Sequence, residues 1–114
     1  NDMLVLVVDD NAQMRRLLAQ MLLAVGFRVI REANNASEAA AVFQTVGADI
    51  VIIDWKMAPI DGIALTRAIR RGETAANPCT PVVMLTAHTE GSRVAAARDA
   101  GVNGFVKKPV SAQM

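Results

Sequence analysis

Three aspartates are the residues of this chain best placed to do chemistry. Asp9 and Asp10 follow the apolar run Leu4-Val5-Leu6-Val7-Val8, and Asp54 closes a second such run, Ile50-Val51-Ile52-Ile53. If the two runs are neighbouring buried strands, their ends bring three carboxylates to one sheet edge. Two carboxylates ~4 Å apart repel by roughly 4 kcal/mol at an effective dielectric near 20, so such a cluster opposes folding unless a cation or a proton relieves it. A hard divalent cation such as Mg²⁺ suits an all-oxygen cage that leaves room for water and phosphate oxygens. The competing reading is structural, because Asp is frequent at strand-end turns and as a helix cap, and each of the three could serve that way alone.

The elements around these residues decide between the readings. Short β-branched runs at 4–8, 28–33, 50–54, 81–86 and 104–108 alternate with helical patterns at 12–25, 37–46, 63–71 and 90–100. They predict five strands and four helices. Runs one, three and four are apolar almost without alternation, as expected of parallel strands covered on both faces, and the helical intervals supply the crossovers. The fold class is therefore α/β, a doubly wound sheet. Ligands of such sheets gather at the carboxyl ends of the strands, near the point where strand order reverses. Asp9 and Asp10 fall at the end of the first strand, Asp54 of the third, Thr86 of the fourth and Lys108 of the fifth, just before Pro109. Carboxylates, a hydroxyl and an ammonium group from separate strand ends match a Mg²⁺-assisted phosphoryl site, where cations offset charge on the transferring oxygens.

Composition narrows the remaining classes. The 114 residues suit one domain, 1–114, and 53% apolar against 20% charged residues can fill a compact core. The net charge of +1 comes from scattered basic residues, which gives nucleic-acid binding no support. The single cysteine, Cys79, cannot form an intrachain disulfide and suits a reducing compartment. Apolar runs fall far short of the ~20 residues that span a bilayer, and no charged-then-apolar signal opens the chain. The chain is read as cytoplasmic, with no membrane contact.

The first helix predicts a neighbour beyond the sheet. Met14, Leu17, Leu18, Met21, Leu22, Ala24 and Val25 fall in one arc of roughly 160°, with Gln13, Arg16 and Gln20 opposite. That is wider than one sheet face needs, so a second helix is expected against it. Gly26 is a left-handed C-cap candidate, 35–38 contains an N-cap, and 73–80 reads as a loop. Ser111 resembles the N-cap of a fifth helix that is truncated or missing, and a start at Asn1 rather than Met fits a fragment.

Four segments in order carry a family resemblance: Val7-Val8-Asp9-Asp10-Asn11; Asp54 with Met57, Pro59, Asp61 and Gly62; Met84-Leu85-Thr86-Ala87; and Phe105-Val106-Lys107-Lys108-Pro109. Over its whole length the chain resembles the receiver domain of two-component response regulators. The resemblance implies a flavodoxin-like five-stranded sheet of order 2-1-3-4-5, with a fifth helix beside helix one. It implies that Asp54 is the phosphoacceptor, taking a phosphoryl group from the histidine of a kinase or phosphotransfer protein. Asp10 would ligate Mg²⁺ directly and Asp9 directly or through water, with Asp54 and the Lys56 backbone carbonyl completing the protein ligands; Mn²⁺ is the alternative ion. Lys108 would pair with one phosphoryl oxygen and Thr86 would donate its hydroxyl to another, while Ala87 is small enough for its backbone amide to approach. Phe105 occupies the aromatic switch position. The surface around helix four, strand five and the C-terminal segment would then engage a downstream protein or a fused output domain. On this reading the chain is no enzyme beyond its own Mg²⁺-dependent phosphorylation and dephosphorylation.

Several features depart from the common pattern or qualify it. Pro59 comes one residue late, which alters the loop after strand three without removing chemistry. Lys56 and His88 stand where the family tunes access of hydrolytic water. Lys107 precedes the assigned lysine, and the adjacent Pro109 favours Lys108. Without a fifth helix, Met14, Leu18 and Leu22 would lose a neighbour, and a homodimer covering them is one expectation. Met14 and the Pro109-Val110 turn are where the family docks its kinase. A haloacid-dehalogenase-like phosphatase would need an acid where Lys56 stands, and a dinucleotide-binding module would need a glycine-rich turn after strand one. A receiver acting as a scaffold without phosphorylation is the more serious rival.

Overall fold

The computed structural model of the chain describes residues 3–86 and 91–107, the side chains of 91–93 excepted. The elements run β1 (Leu4–Val8), α1 (Ala12–Ala24), β2 (Val29–Ala33), α2 (Ala36–Thr45), β3 (Ile50–Asp54), α3 (Gly62–Arg70), β4 (Val82–Thr86), α4 (Gly91–Ala100) and β5 (Gly104–Lys107). The strands form one parallel sheet in the order β2-β1-β3-β4-β5. This is the expected α/β architecture, with the strand order that the family resemblance implied. Chain order reverses between β1 and β3, so the carboxyl ends of those two strands flank the crevice.

The sheet's alternation divides the apolar residues between two cores. Leu6, Val8, Val51, Ile53, Val82 and Met84 meet Ala39, Phe43, Leu65, Ile69 and Ala97 from α2, α3 and α4. The intervening residues Val5, Val7 and Leu85 face the other way, onto Leu18 of α1. Because successive side chains point to opposite faces, near-continuous apolar runs are needed to supply both layers. Each fully buried Val or Leu contributes about 1.5–3 kcal/mol by leaving water. The edge strands β2 and β5 carry exposed positions, which is why their runs read less cleanly.

Local signals set the helix ends. Asn11 caps α1 through Met14 N–H at 3.0 Å, Asn35 caps α2 through Glu38 N–H at 2.9 Å, and Asp61 caps α3 through Ala64 N–H at 2.8 Å. Each side-chain oxygen thereby satisfies a donor that the helix cannot. The expected stop at Gly26 is a Schellman turn: Gly26 has φ of 111°, its N–H donates to Leu23 C=O, and Phe27 N–H donates to Leu22 C=O, both at 3.1 Å.

The broad apolar arc on α1 divides in two. Leu18 is buried and Met14, Leu17 and Leu22 pack partly against the smaller core, whereas Met21 is 37% and Val25 73% exposed. The sheet therefore accounts for one half of the arc. The expected fifth helix, with Ser111, lies outside the described residues. No helix among those described is long and apolar enough to cross a membrane.

Candidate functional site

Strand register builds the acidic cluster. Val8 of β1 is paired with Ile53 of β3, so the next residue along each strand places Asp9 beside Asp54. Asp54 is in turn paired with Leu85, and Thr86 lies one step further along β4. Asp9, Asp10 and Asp54 each offer a carboxylate oxygen within 4.8 Å of the others. Asp9 and Asp54 are buried and Asp10 is exposed, so the cluster opens to solvent on the Asp10 side. Such an arrangement concentrates negative charge where two of the groups are largely withdrawn from water, and a small, strongly charged cation relieves it. The donor set is all carboxylate oxygen, which fits Mg²⁺ or Mn²⁺ and not a thiolate-preferring metal.

The carboxylates are held by their backbones. Asp9 N–H donates to Ala33 C=O of β2 at 3.1 Å, and its Oδ1 accepts from Asn11 N–H at 2.9 Å. Its C=O accepts from Arg15 Nη1 at 2.6 Å. On the Asp54 side, Trp55 N–H donates to Leu85 C=O at 3.0 Å and Gly62 N–H closes the following loop on Trp55 C=O at 2.9 Å. The loop between them turns through a cis Ala58-Pro59 peptide and buries Met57, leaving Lys56 exposed. The late proline thus sits in a loop whose two ends are tied to the site.

Thr86 is buried at the end of β4, 4% exposed, on the same sheet edge as the carboxylates. Phe105 is half-buried in β5, paired with Met84 and packed against the larger core. Lys107 is exposed and paired with Thr86, so it marks the carboxyl end of β5. Lys108, Ala87, His88 and the Pro109-Val110 turn lie outside the described residues. Of the residues expected in the site, Asp9, Asp10 and Asp54 come together, and Thr86 joins them at the strand ends.

Arg15 escaped the sequence reading. A basic residue at the fourth position of α1, beside the positive helix N-terminus and with no acidic residue in that first turn, runs against the helix dipole. That anomaly is the signal from which a local anionic partner follows, and Glu32 provides it through an ion pair of 3.1 Å.

The comparisons with known proteins fit this geometry. The response regulator receiver domain family matches residues 5–114. The chemotaxis protein CheY of Pseudomonas aeruginosa is 37% identical over 112 residues, covering 98% of this chain and 89% of that protein. The structure of the chemotaxis protein CheY4 of Vibrio cholerae superposes with a TM-score of 0.86 at 28% identity, covering 96% of this chain and 88% of that one. The receiver domain of a sensor histidine kinase from Pseudomonas aeruginosa PAO1 has a magnesium ion coordinated in its active site cleft. It superposes with a TM-score of 0.79 at 25% identity, over 96% of this chain and 87% of that one.

Proposed function

The chain belongs to the response regulator receiver family, and from that premise we propose that it accepts a phosphoryl group on Asp54 from the phosphohistidine of a kinase or phosphotransfer protein. The convergence of the Asp9, Asp10 and Asp54 carboxylates at the carboxyl edge of a parallel sheet carries this reading. A carboxylate is a competent nucleophile, and its acyl phosphate is reactive enough to make the mark temporary. An Asp54 oxygen attacks phosphorus as the P–N bond to the donor imidazole breaks, and the electron pair stays on the imidazole nitrogen. Attack of water on phosphorus later returns the carboxylate and inorganic phosphate.

Asp9, Asp10 and Asp54, with the Lys56 backbone carbonyl, are the residues that would hold Mg²⁺ or Mn²⁺. Bound there, the cation supplies charge neutralisation for the phosphoryl oxygens. Thr86 donates its hydroxyl to a phosphoryl oxygen, Lys108 pairs with another, and the Ala87 amide adds a third contact. The chain turns over no separate substrate. Phosphate adds charge and acceptor oxygens at one point, which Phe105 and α4 convert into a changed surface for a downstream protein or output domain.

The deciding experiment uses a small phosphodonor with Mg²⁺ and intact-mass measurement. One added phosphoryl group on the native chain and none on Asp54→Asn is expected. Equal labelling of both would move the acceptor elsewhere, and no labelling of either would favour a scaffold that acts without phosphorylation.

A further inference from the structure

We infer that Arg15 is a positioning residue for the acidic pocket, fixing the Asp9-Asp10 peptide so that both carboxylates reach the same cation. The inference rests on the reading of Asp9 and Asp10 as cation ligands. Arg15 Nη1 donates to Asp9 C=O at 2.6 Å, and the same guanidinium is braced by Glu32 Oε1 of β2 at 3.1 Å and by Oδ1 of Asn34, just after β2, at 3.3 Å. The Arg15 side chain is only 17% exposed. A planar fork with several donors suits three acceptors set at fixed angles, as a lysine does not.

The Asp9 carbonyl and the Asp10 N–H belong to one rigid peptide unit. Holding that carbonyl therefore sets the direction in which the chain enters Asp10. Asp9 has further anchors, since its N–H and Oδ1 are both engaged. Among the described residues no hydrogen bond anchors the exposed Asp10 carboxylate, so the peptide before it sets the position from which that side chain reaches the cation. Arg15 couples the end of β2 to the direction of that carboxylate.

A charge-only role for Arg15 predicts the opposite sign. A guanidinium near a divalent cation repels it, so removing the charge should tighten Mg²⁺ binding. Loss of an orienting contact behind a ligand should weaken it, by about tenfold on the scale of groups that orient metal ligands. Glu32, paired to Arg15, offsets much of the guanidinium charge and makes the orienting effect the larger one.

The test is a Mg²⁺ titration of the full chain, read by the fluorescence of Trp55, the only tryptophan and the neighbour of Asp54. Arg15→Met is expected to weaken Mg²⁺ about tenfold. Arg15→Lys, which keeps the charge and loses the fork, is expected to weaken it several-fold, and it stands in if Arg15→Met does not fold. The charge-balanced pair Arg15→Met with Glu32→Gln should stay as weak as Arg15→Met. Leu18→Ala, which loosens the core under α1 without touching Asp9, should bind Mg²⁺ as the native chain does while melting earlier. Native affinity in Arg15→Lys, or tighter binding in Arg15→Met, would overturn the inference. So would recovery in the charge-balanced pair, which would assign the effect to a stranded Glu32 carboxylate. A native chain that shows no saturable Mg²⁺ response, and is matched by Asp10→Asn, would instead remove the cation site itself and the inference with it.

Discussion

Gly62 packs so closely on the backbone of Asp54 that a methyl group on its α-carbon would meet the Asp54 carbonyl oxygen at 2.6 Å. Ile53 Cγ2 and Met84 Sδ would each lie 3.0 Å away. The first residue of α3 is thus in contact with the strand end that carries the Asp54 carboxylate. Gly62→Ala gains at most ~1 kcal/mol of helix propensity. Overpacking typically costs about 1–3 kcal/mol, and here one neighbour is backbone that cannot rotate away. A lower urea midpoint and slower labelling of Asp54 by a small phosphodonor are therefore expected together. An unchanged midpoint with native labelling would mean that α3 slides along the sheet without disturbing Asp54.

Arg70 ties together the opposite edge of the sheet. Its guanidinium donates to Pro78 C=O at 2.8 Å, Thr80 C=O at 2.6 Å and Asn103 Oδ1 at 2.7 Å, and reaches Gly101 C=O at 2.7 and 3.0 Å. These acceptors lie before β4 and around the turn from α4 to β5. Hydrogen bonds from a charged group are worth about 1.5–3 kcal/mol each and do not add independently, so Arg70→Ala is expected to remove on the order of 3 kcal/mol. Mg²⁺ affinity should stay native, because the carboxylates sit at the other ends of the strands. Loss of Mg²⁺ binding at unchanged stability would contradict this division.

The same anchor predicts where α4 moves. Ala97 and Ala100 are buried and the Gly101 carbonyl is held by Arg70, whereas Val94 is only partly buried and Ala95 and Ala96 are exposed. A helix fixed at one end and thinly packed along the rest shifts by pivoting about the fixed end. With beryllofluoride as a phosphoryl mimic, amide resonances near Gly91 to Val94 are expected to change more than those of Ala97 to Ala100. A uniform change along α4, or none, would sink the pivot.

Much of this arrangement was legible in the chain itself. β1, β3 and β4 announce themselves because a central parallel strand needs apolar residues on both faces, and their polar ends then fall on one edge. Strand order was not legible from the pattern; it came with the family resemblance, and the pairing of β1 with both β2 and β3, of β3 with β4 and of β4 with β5 shows it. Arg15 was missed because its acceptors are a backbone carbonyl and side chains 17 and 19 residues away, which meet only once β1 and β2 are neighbours. The closeness of Gly62 to Asp54 likewise depends on how α3 lies on the sheet, which no spacing encodes. The α1 arc is wider than the sheet can cover, as its width predicts: Leu18 is buried against the sheet and Val25 is left to solvent.

The acidic cluster should make stability and Mg²⁺ binding move in opposite directions in one variant. Asp10 is exposed, with a carboxylate oxygen within 4.8 Å of oxygens of two other aspartates. Like charges at ~4 Å repel by about 1 kcal/mol even at the dielectric of water, and by more where neighbours are buried. Asp10→Asn keeps the shape and removes that repulsion, so without Mg²⁺ it should melt higher than the native chain, by a few degrees on the scale of ~4–8 °C per kcal/mol for small domains. Adding Mg²⁺ should reverse the order. A ligand at 100 times its Kd stabilises the state that binds it by about 2.7 kcal/mol, and the native chain receives that increment while the variant, short of one ligand, does not. Thermal melts of both proteins across a Mg²⁺ series should therefore cross. Parallel curves would show that Asp10 neither repels its neighbours nor holds the cation, and the acidic edge would then be a set of helix caps and turn residues.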